Sequence, residues 1–141
     1  MRVNLENDGN GMSNIEILNH SKRLKLPNFK YRMRDELIRE KPLMRESGII
    51  NLDNEYGGGT HHCCWFKDGG NKIYFDSFGI QPPLELISYL KSPILYNTYQ
   101  IQKYNETNCS EWCLYVLNEL NKERDFILLV LDIIKWGTMR K

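Results

Sequence analysis

Thr60-His-His-Cys-Cys-Trp-Phe-Lys-Asp-Gly-Gly-Asn-Lys-Ile-Tyr-Phe-Asp76 is the stretch whose reading decides the fold. Two strand-like segments, residues 60–67 and 72–76, flank Asp68-Gly69-Gly70-Asn71. Gly-Gly inside such a linker is a strong hairpin signal. Strand side chains alternate, so His61, Cys63 and Trp65 share one face and His62, Cys64 and Phe66 the other. With Gly69-Gly70 as the two-residue turn, Asp76 falls opposite Cys63. That makes it the diagonal neighbour of His61 on the same face. Diagonal neighbours lie roughly 7–8 Å apart at the backbone, within reach of long side chains. An imidazole and a carboxylate could meet there, Asp76 fixing the tautomer of His61 and stabilising its imidazolium form. A one-residue slip of register would send the two to opposite faces.

C-terminal to the hairpin, Pro82-Pro83 opens a helix through Leu90, with Pro83 suited to the first helical position. Residues 94–96 and 98–102 read as short strands, and residues 105–108 as a polar loop. A helix follows over residues 109–120, since Trp112, Cys113, Val116, Leu117 and Leu120 recur at helical spacing. Asn108 or Thr107 could cap it. A thiol at Cys109 would then face unpaired backbone amides and the positive end of the helix dipole. Both favour thiolate, the nucleophilic form. Cys113, one turn further in, reads as core. A last helix spans residues 124–136.

N-terminal to the hairpin, residues 1–12 read as a flexible leader and residues 13–141 as a single domain. Ser13 and Glu16 form a capping box, and a helix should run to Leu26, where Pro27 stops it. Residues 28–47 are rich in charge and read as a surface segment with a turn of helix. Residues 48–52 form a short apolar strand, and Gly57-Gly58-Gly59 a loop. The order of helix, strands and helices is an α+β domain.

Composition bounds the function. The chain has 141 residues, 41% hydrophobic and 26% charged, an ordinary balance for one globular domain. A net charge of +1 indicates neither nucleic acid nor an anionic membrane as partner. Four cysteines at positions 63, 64, 109 and 113 do not make a secreted disulfide framework. No signal peptide or membrane span is legible, so a reducing, intracellular setting is expected. Packing as small hydrophobes is the plain alternative for all four thiols. A zinc site is disfavoured: consecutive strand residues 61–64 cannot all face one ion, and Cys109 and Cys113 lack the Cys-x-x-Cys spacing. Trp65 and Trp112 read as core.

Gly59-Thr60-His61, then residues 74–79 (Tyr-Phe-Asp-Ser-Phe-Gly), then Gln102, then Cys109 resemble the adenovirus-type (adenain-like) cysteine proteases. The likeness is greatest to versions from virophages, large DNA viruses of protists and Maverick-type transposons. The order His, Asp/Glu, Gln, Cys is shared with the clan of SUMO-specific proteases. The resemblance covers about residues 13–120, including residues 48–53, Pro82-Pro83 and residues 96–102. It implies a papain-like fold with a small mixed or antiparallel sheet packed against helices. It also implies Cys109 as nucleophile, His61 as general base, Asp76 as its orienting group, and Gln102 as an oxyanion donor beside the Cys109 backbone N–H. Gly59, Thr60, His62 and Ser110 are expected to border the substrate. His62 stands where the family usually has Trp, and Ser110 where it usually has Gly. No metal and no cofactor is implied. The implied partner is a polypeptide, a viral capsid or core precursor cut near Gly residues. The implied place is the host cell interior, in cytoplasm or virus factory, and the virion. Two rival functions share these residues: a deconjugating protease for ubiquitin-like modifiers, and a catalytically inactive binding or virion protein. The oligomeric state stays open.

Overall fold

The structure is a computed structural model that describes residues 12–53, 61–103 and 107–139. Within these, a five-stranded mixed sheet lies between helices. The elements in chain order are α1 (Asn14–Arg23), β1 (Lys30–Met33), a 3-10 turn (Arg34–Arg39), β2 (Arg45–Asn51), β3 (His62–Asp68), β4 (Asn71–Phe75), α2 (Leu84–Leu90), β5 (Leu95–Tyr96), α3 (Cys109–Asn121) and α4 (Phe126–Met139). Strands are ordered β1-β2-β3-β4-β5. The central pairs β2–β3 and β3–β4 are antiparallel, and both edge pairs are parallel.

The expected hairpin register is the one observed: Cys64 pairs with Phe75 and Asp68 with Asn71, leaving Gly69-Gly70 as the turn. Of the two glycines, only Gly69 has a positive φ, +61°. That is the pattern of a type II′ turn, whose twist matches the strands it joins.

Alternation along the strands splits the core in two. Ile49, Cys64, Phe66, Ile73 and Phe75 meet α3 through Trp112, Cys113, Val116 and Leu117, with Ile17 of α1 and Leu129 of α4 behind. On the opposite face Ile50, Cys63, Trp65 and Tyr74 meet Leu86, Tyr89 and Leu90 of α2, with Leu37 of the 3-10 turn. Both Trp65 and Trp112 are buried, as expected. Trp65 lies flat over Gly48, where an added Cβ would come within 2.3 Å of the indole. Its Nε1 donates to the buried Glu46 at 2.8 Å. Glu46 also accepts from Tyr89 at 2.6 Å and pairs with Lys30 at 3.0 Å. One carboxylate therefore ties β1, β2, β3 and α2 together, its burial compensated by a cation and hydrogen bonds.

Several expectations need correction. Residues 28–47 are more than a surface segment: they hold β1 and the 3-10 turn, and Leu37 is buried. Half-buried on every residue, β1 (Lys-Tyr-Arg-Met) carries no apolar alternation to announce it. Helix α1 has its Ser13–Glu16 capping box but ends at Arg23, with Lys25 at φ +55°. Pro83 is the N-cap of α2 rather than its first helical residue. Residues 98–102 form no strand, because their backbone turns to bond the loop after β4. Asn108 occupies the N-cap of α3, but its side chain makes no capping bond. The expectations for residues 1–11, the triple-glycine loop, Gly59 and Thr60 lie outside the described residues.

Gly48→Ala should overpack the contact under Trp65 and cost about 1–3 kcal/mol or more. Gly70→Ala, with nothing near its Cβ position, should stay within about 0.5 kcal/mol of the parent. Urea unfolding midpoints check both; equal midpoints for the two variants would contradict the packing account.

Candidate active site

The site gathers at the ends of β3 and β4 and at the start of α3. His61 precedes β3 by one residue, and its carbonyl still accepts from Leu52 N–H at 2.9 Å. It is therefore anchored to the end of β2 without being locked into the ladder. Asp76 directly follows β4 and is fully buried. His61 Nε2 lies 2.7 Å from Asp76 Oδ1. A carboxylate only accepts, so Nε2 carries the proton and Nδ1 becomes the basic nitrogen. Nδ1 is buried and has no hydrogen-bond partner among the described residues.

The turn after β4 holds this pair. Asp76 Oδ1 also accepts from Phe78 N–H at 2.8 Å. The Phe78 ring stacks on the His61 imidazole, centroids 4.1 Å apart and planes 11° apart. Gly79 N–H closes the turn onto Asp76 C=O at 2.8 Å. Its φ is +74°, and a Cβ there would lie 2.8 Å from the Thr98 carbonyl oxygen, so glycine is required on two counts. Asn97 clamps the Asp76 backbone from the other side: Oδ1 accepts from Asp76 N–H at 3.0 Å, and Nδ2 donates to Asp76 C=O at 2.7 Å.

Cys109 is the first residue of α3 and is buried. Burial alone would raise its thiol. The neighbouring imidazoles, His61 first and then His62, outweigh that and bring it from the ordinary 9.0 down to about 6. His62 N–H donates to the sulfur at 3.4 Å. His61 moves the other way. Burial disfavours its charge, but Asp76 and then Cys109 raise it from 6.5 to about 12.

Gln102 is buried, though it sits in a loop. Its Oε1 accepts from Ser77 Oγ at 2.5 Å, and its N–H donates to Ser77 C=O at 3.0 Å. Ser77 thereby holds the carboxamide by its oxygen. Ser110 is fully buried, with its hydroxyl turned toward Glu111 at 3.5 Å. Any contact it makes with a bound chain would come from its backbone.

Of the expected site residues, the structure brings together His61, Asp76, Cys109 and His62, and places Ser110 beside Cys109. Gln102 is tied to them through Ser77, the residue after Asp76. Asn97, Ser77, Phe78 and Tyr31 were not singled out from the sequence. Ser77 and Phe78 at least fall inside the Asp-Ser-Phe-Gly turn; a lone Asn97 or Tyr31 gives no signal. His61, Cys63 and Asp76 bring donor atoms within 4.8 Å of one another. Three donors match a catalytic zinc in number. Binding would require Cys63 to ionise, yet burial pushes that thiol up to about 12, and His61 Nε2 is already engaged by Asp76.

No protein-family profile matches the chain, and no curated protein matches it in sequence. In fold it is similar to the crystal structure of the ASFV pS273R protease, with a TM-score of 0.62 and 15% identity. The match covers 89% of this chain and 63% of that one, so the chain spans less than two thirds of its neighbour's length. The α+β arrangement of a mixed sheet against helices is thus the fold of a papain-like cysteine protease.

Proposed function

We propose that the chain is a cysteine endopeptidase that hydrolyses peptide bonds with Cys109, His61 and Asp76. One observation carries this reading: a buried thiol at the start of α3, with its sulfur accepting a backbone N–H at 3.4 Å, gathered with an imidazole held by a buried carboxylate at 2.7 Å, an arrangement that lowers the thiol to about 6 and raises the imidazole to about 12. Between those two pH values the resting state is thiolate and imidazolium. The thiolate attacks the scissile carbonyl carbon and forms a C–S bond, moving an electron pair onto the oxygen. Cys109 N–H and the Gln102 amide receive that oxyanion. As the oxyanion collapses, the C–N bond breaks and His61 delivers its proton to the leaving nitrogen. Water, deprotonated by His61, then attacks the thioester; the C–S bond breaks, the carboxylic acid product leaves, and the thiolate–imidazolium pair is restored. Asp76 remains ionised and holds the ring throughout.

The substrates that fit the sequence resemblance are viral capsid or core precursors cut near Gly residues. An interior location in the host cell would keep the four cysteines reduced, and all four are free thiols here. No helix among the described residues is long and apolar enough to cross a membrane.

The ion pair sets the pH dependence. Below the thiol's value of about 6, Cys109 is protonated and alkylation should fall about tenfold per pH unit. Above that value labelling should be fast at Cys109 alone, since Cys63 and Cys113 are buried with raised thiols. Mass spectrometry of iodoacetamide-treated protein locates the label. His61→Ala should slow it. Uniformly slow labelling of all four cysteines would instead point to the inactive binding protein.

Cleavage is the direct test. Cys109→Ala should abolish hydrolysis of a Gly-containing unfolded polypeptide. Gln102→Ala should lower kcat about 10²–10³-fold, and Ser77→Ala by less, through loss of the bond that orients the amide. Turnover persisting in Cys109→Ala would end the proposal. Cleavage restricted to Gly-Gly-linked ubiquitin-like fusions would select the deconjugating alternative.

A further inference from the structure

Strand alternation expects His61 and His62 to diverge, yet both act on Cys109. His62 Nδ1 lies 3.8 Å from the Cys109 sulfur, and the His62 backbone N–H donates to the same atom at 3.4 Å. The other ring nitrogen, Nε2, lies 2.9 Å from the Tyr31 hydroxyl. That hydroxyl accepts from Asn51 Nδ2 at 3.4 Å. With a lone pair taken by an amide donor, the phenol's proton is left to point at Nε2. Nε2 then accepts, which places the ring proton on Nδ1, on the side of the sulfur.

We propose that His62 is a second catalytic residue, a donor that holds the Cys109 thiolate with its ring N–H and its backbone N–H, and that Tyr31 is the positioning residue that orients its ring. This rests on the endopeptidase reading and deepens it. Proton transfer stays with His61, whose ring alone is paired with a carboxylate. His62 holds the sulfur's charge between turnovers through its two N–H groups. Tyr31 suits its part, because burial pushes its phenol up and keeps it a donor.

The charges around this sulfur come from every element packed on it. His61 and Asp76 face it from the β3–β4 side, and Cys63 acts on His61. Tyr31 reaches in from β1, with Glu36 of the 3-10 turn acting on its hydroxyl. Cys113 of α3 donates its thiol to the His62 carbonyl at 3.5 Å. Tyr31 and Cys113 stay neutral across the acidic range, so a change of midpoint there reports on His61 and His62.

The experiment is the pH profile of iodoacetamide labelling at Cys109 in folded protein. His62→Phe keeps the backbone N–H but loses Nδ1–H, and should move the midpoint up by about one pH unit, the order of one charge-assisted hydrogen bond. His62→Asn places an amide N–H near the former Nδ1 and should restore most of that shift. Tyr31→Phe should move the midpoint in the same direction by less. A purely structural role would lower the melting temperature and leave the midpoint in place, and that result in His62→Phe and Tyr31→Phe overturns the proposal. If His62→Phe does not fold, Tyr31→Phe, which keeps the imidazole, decides the matter alone. A parent midpoint near that of a free thiol would sink the endopeptidase reading as well. A low parent midpoint that only His61→Ala shifts would sink this proposal and leave the endopeptidase standing.

Discussion

A buried carboxylate must find partners, and Asp76 finds them in a way that fixes the rest of the site. Its Oδ1 takes an imidazole N–H and a backbone N–H, at 2.7 and 2.8 Å, while Oδ2 is buried with no hydrogen-bond partner among the described residues. Removing an ionised carboxylate from water costs several kcal/mol unless such bonds replace the lost hydration. Here the replacement comes partly from the His61 ring itself. The bond that orients His61 is therefore also the one that makes the burial of Asp76 tolerable. Asn97 and the Gly79 turn act one step further out, holding the Asp76 backbone N–H and C=O.

The hairpin supplies the distance. Because Gly69-Gly70 closes a two-residue loop, Cys64 is set against Phe75. His61 and Asp76 then sit just past the last paired residues. Inside a ladder the pleat would dictate both side-chain directions. Just outside it, each backbone can bend toward the other while the register still brings them near. The opposite end of the site is built by a helix. Helix α3 packs its apolar stripe on the Cys64–Phe66 face, which carries Cys109 to the mouth of the hairpin.

This division explains what could be read without coordinates. The Gly-Gly turn and the alternation of residues 60–76 are short-range signals, and they carried the hairpin, its register and the His61–Asp76 meeting. The apolar periodicity after Asn108 likewise announced α3 and the place of Cys109. Strand β1 was missed because an edge strand half-exposed on every residue has no pattern, and its partner lies well along the chain at Gly48–Asn51. Residues 98–102 look strand-like by composition, but two of their N–H groups are taken by the Ser77 carbonyl. Such tertiary preferences override propensity. Asn97 and Ser77 could not be found from spacing, since their value lies in contacts 21 and 25 residues away. Gln102 was placed by resemblance alone, and the structure supplies the physical reason for its burial.

Two of the four thiols show how little of reactivity belongs to residue type. Cys63 and Cys109 both interact with His61, and burial raises both. Cys63 ends near 12 and Cys109 near 6. The difference is in what else each sulfur faces. Cys63 lies under the sheet beside Asp76, whose negative charge opposes a second anion. Cys109 has its base on one side and His62 on the other, with a backbone N–H of His62 aimed at the sulfur. Its position at the start of a thirteen-residue helix adds unpaired amides and a favourable dipole. The carboxylate that raises His61 thus adds to the burial that already raises Cys63. Burial sets Cys63 high and Asp76 adds to it, while the two imidazoles and a backbone N–H bring Cys109 low, so the partners of each sulfur separate two thiols of the same residue type.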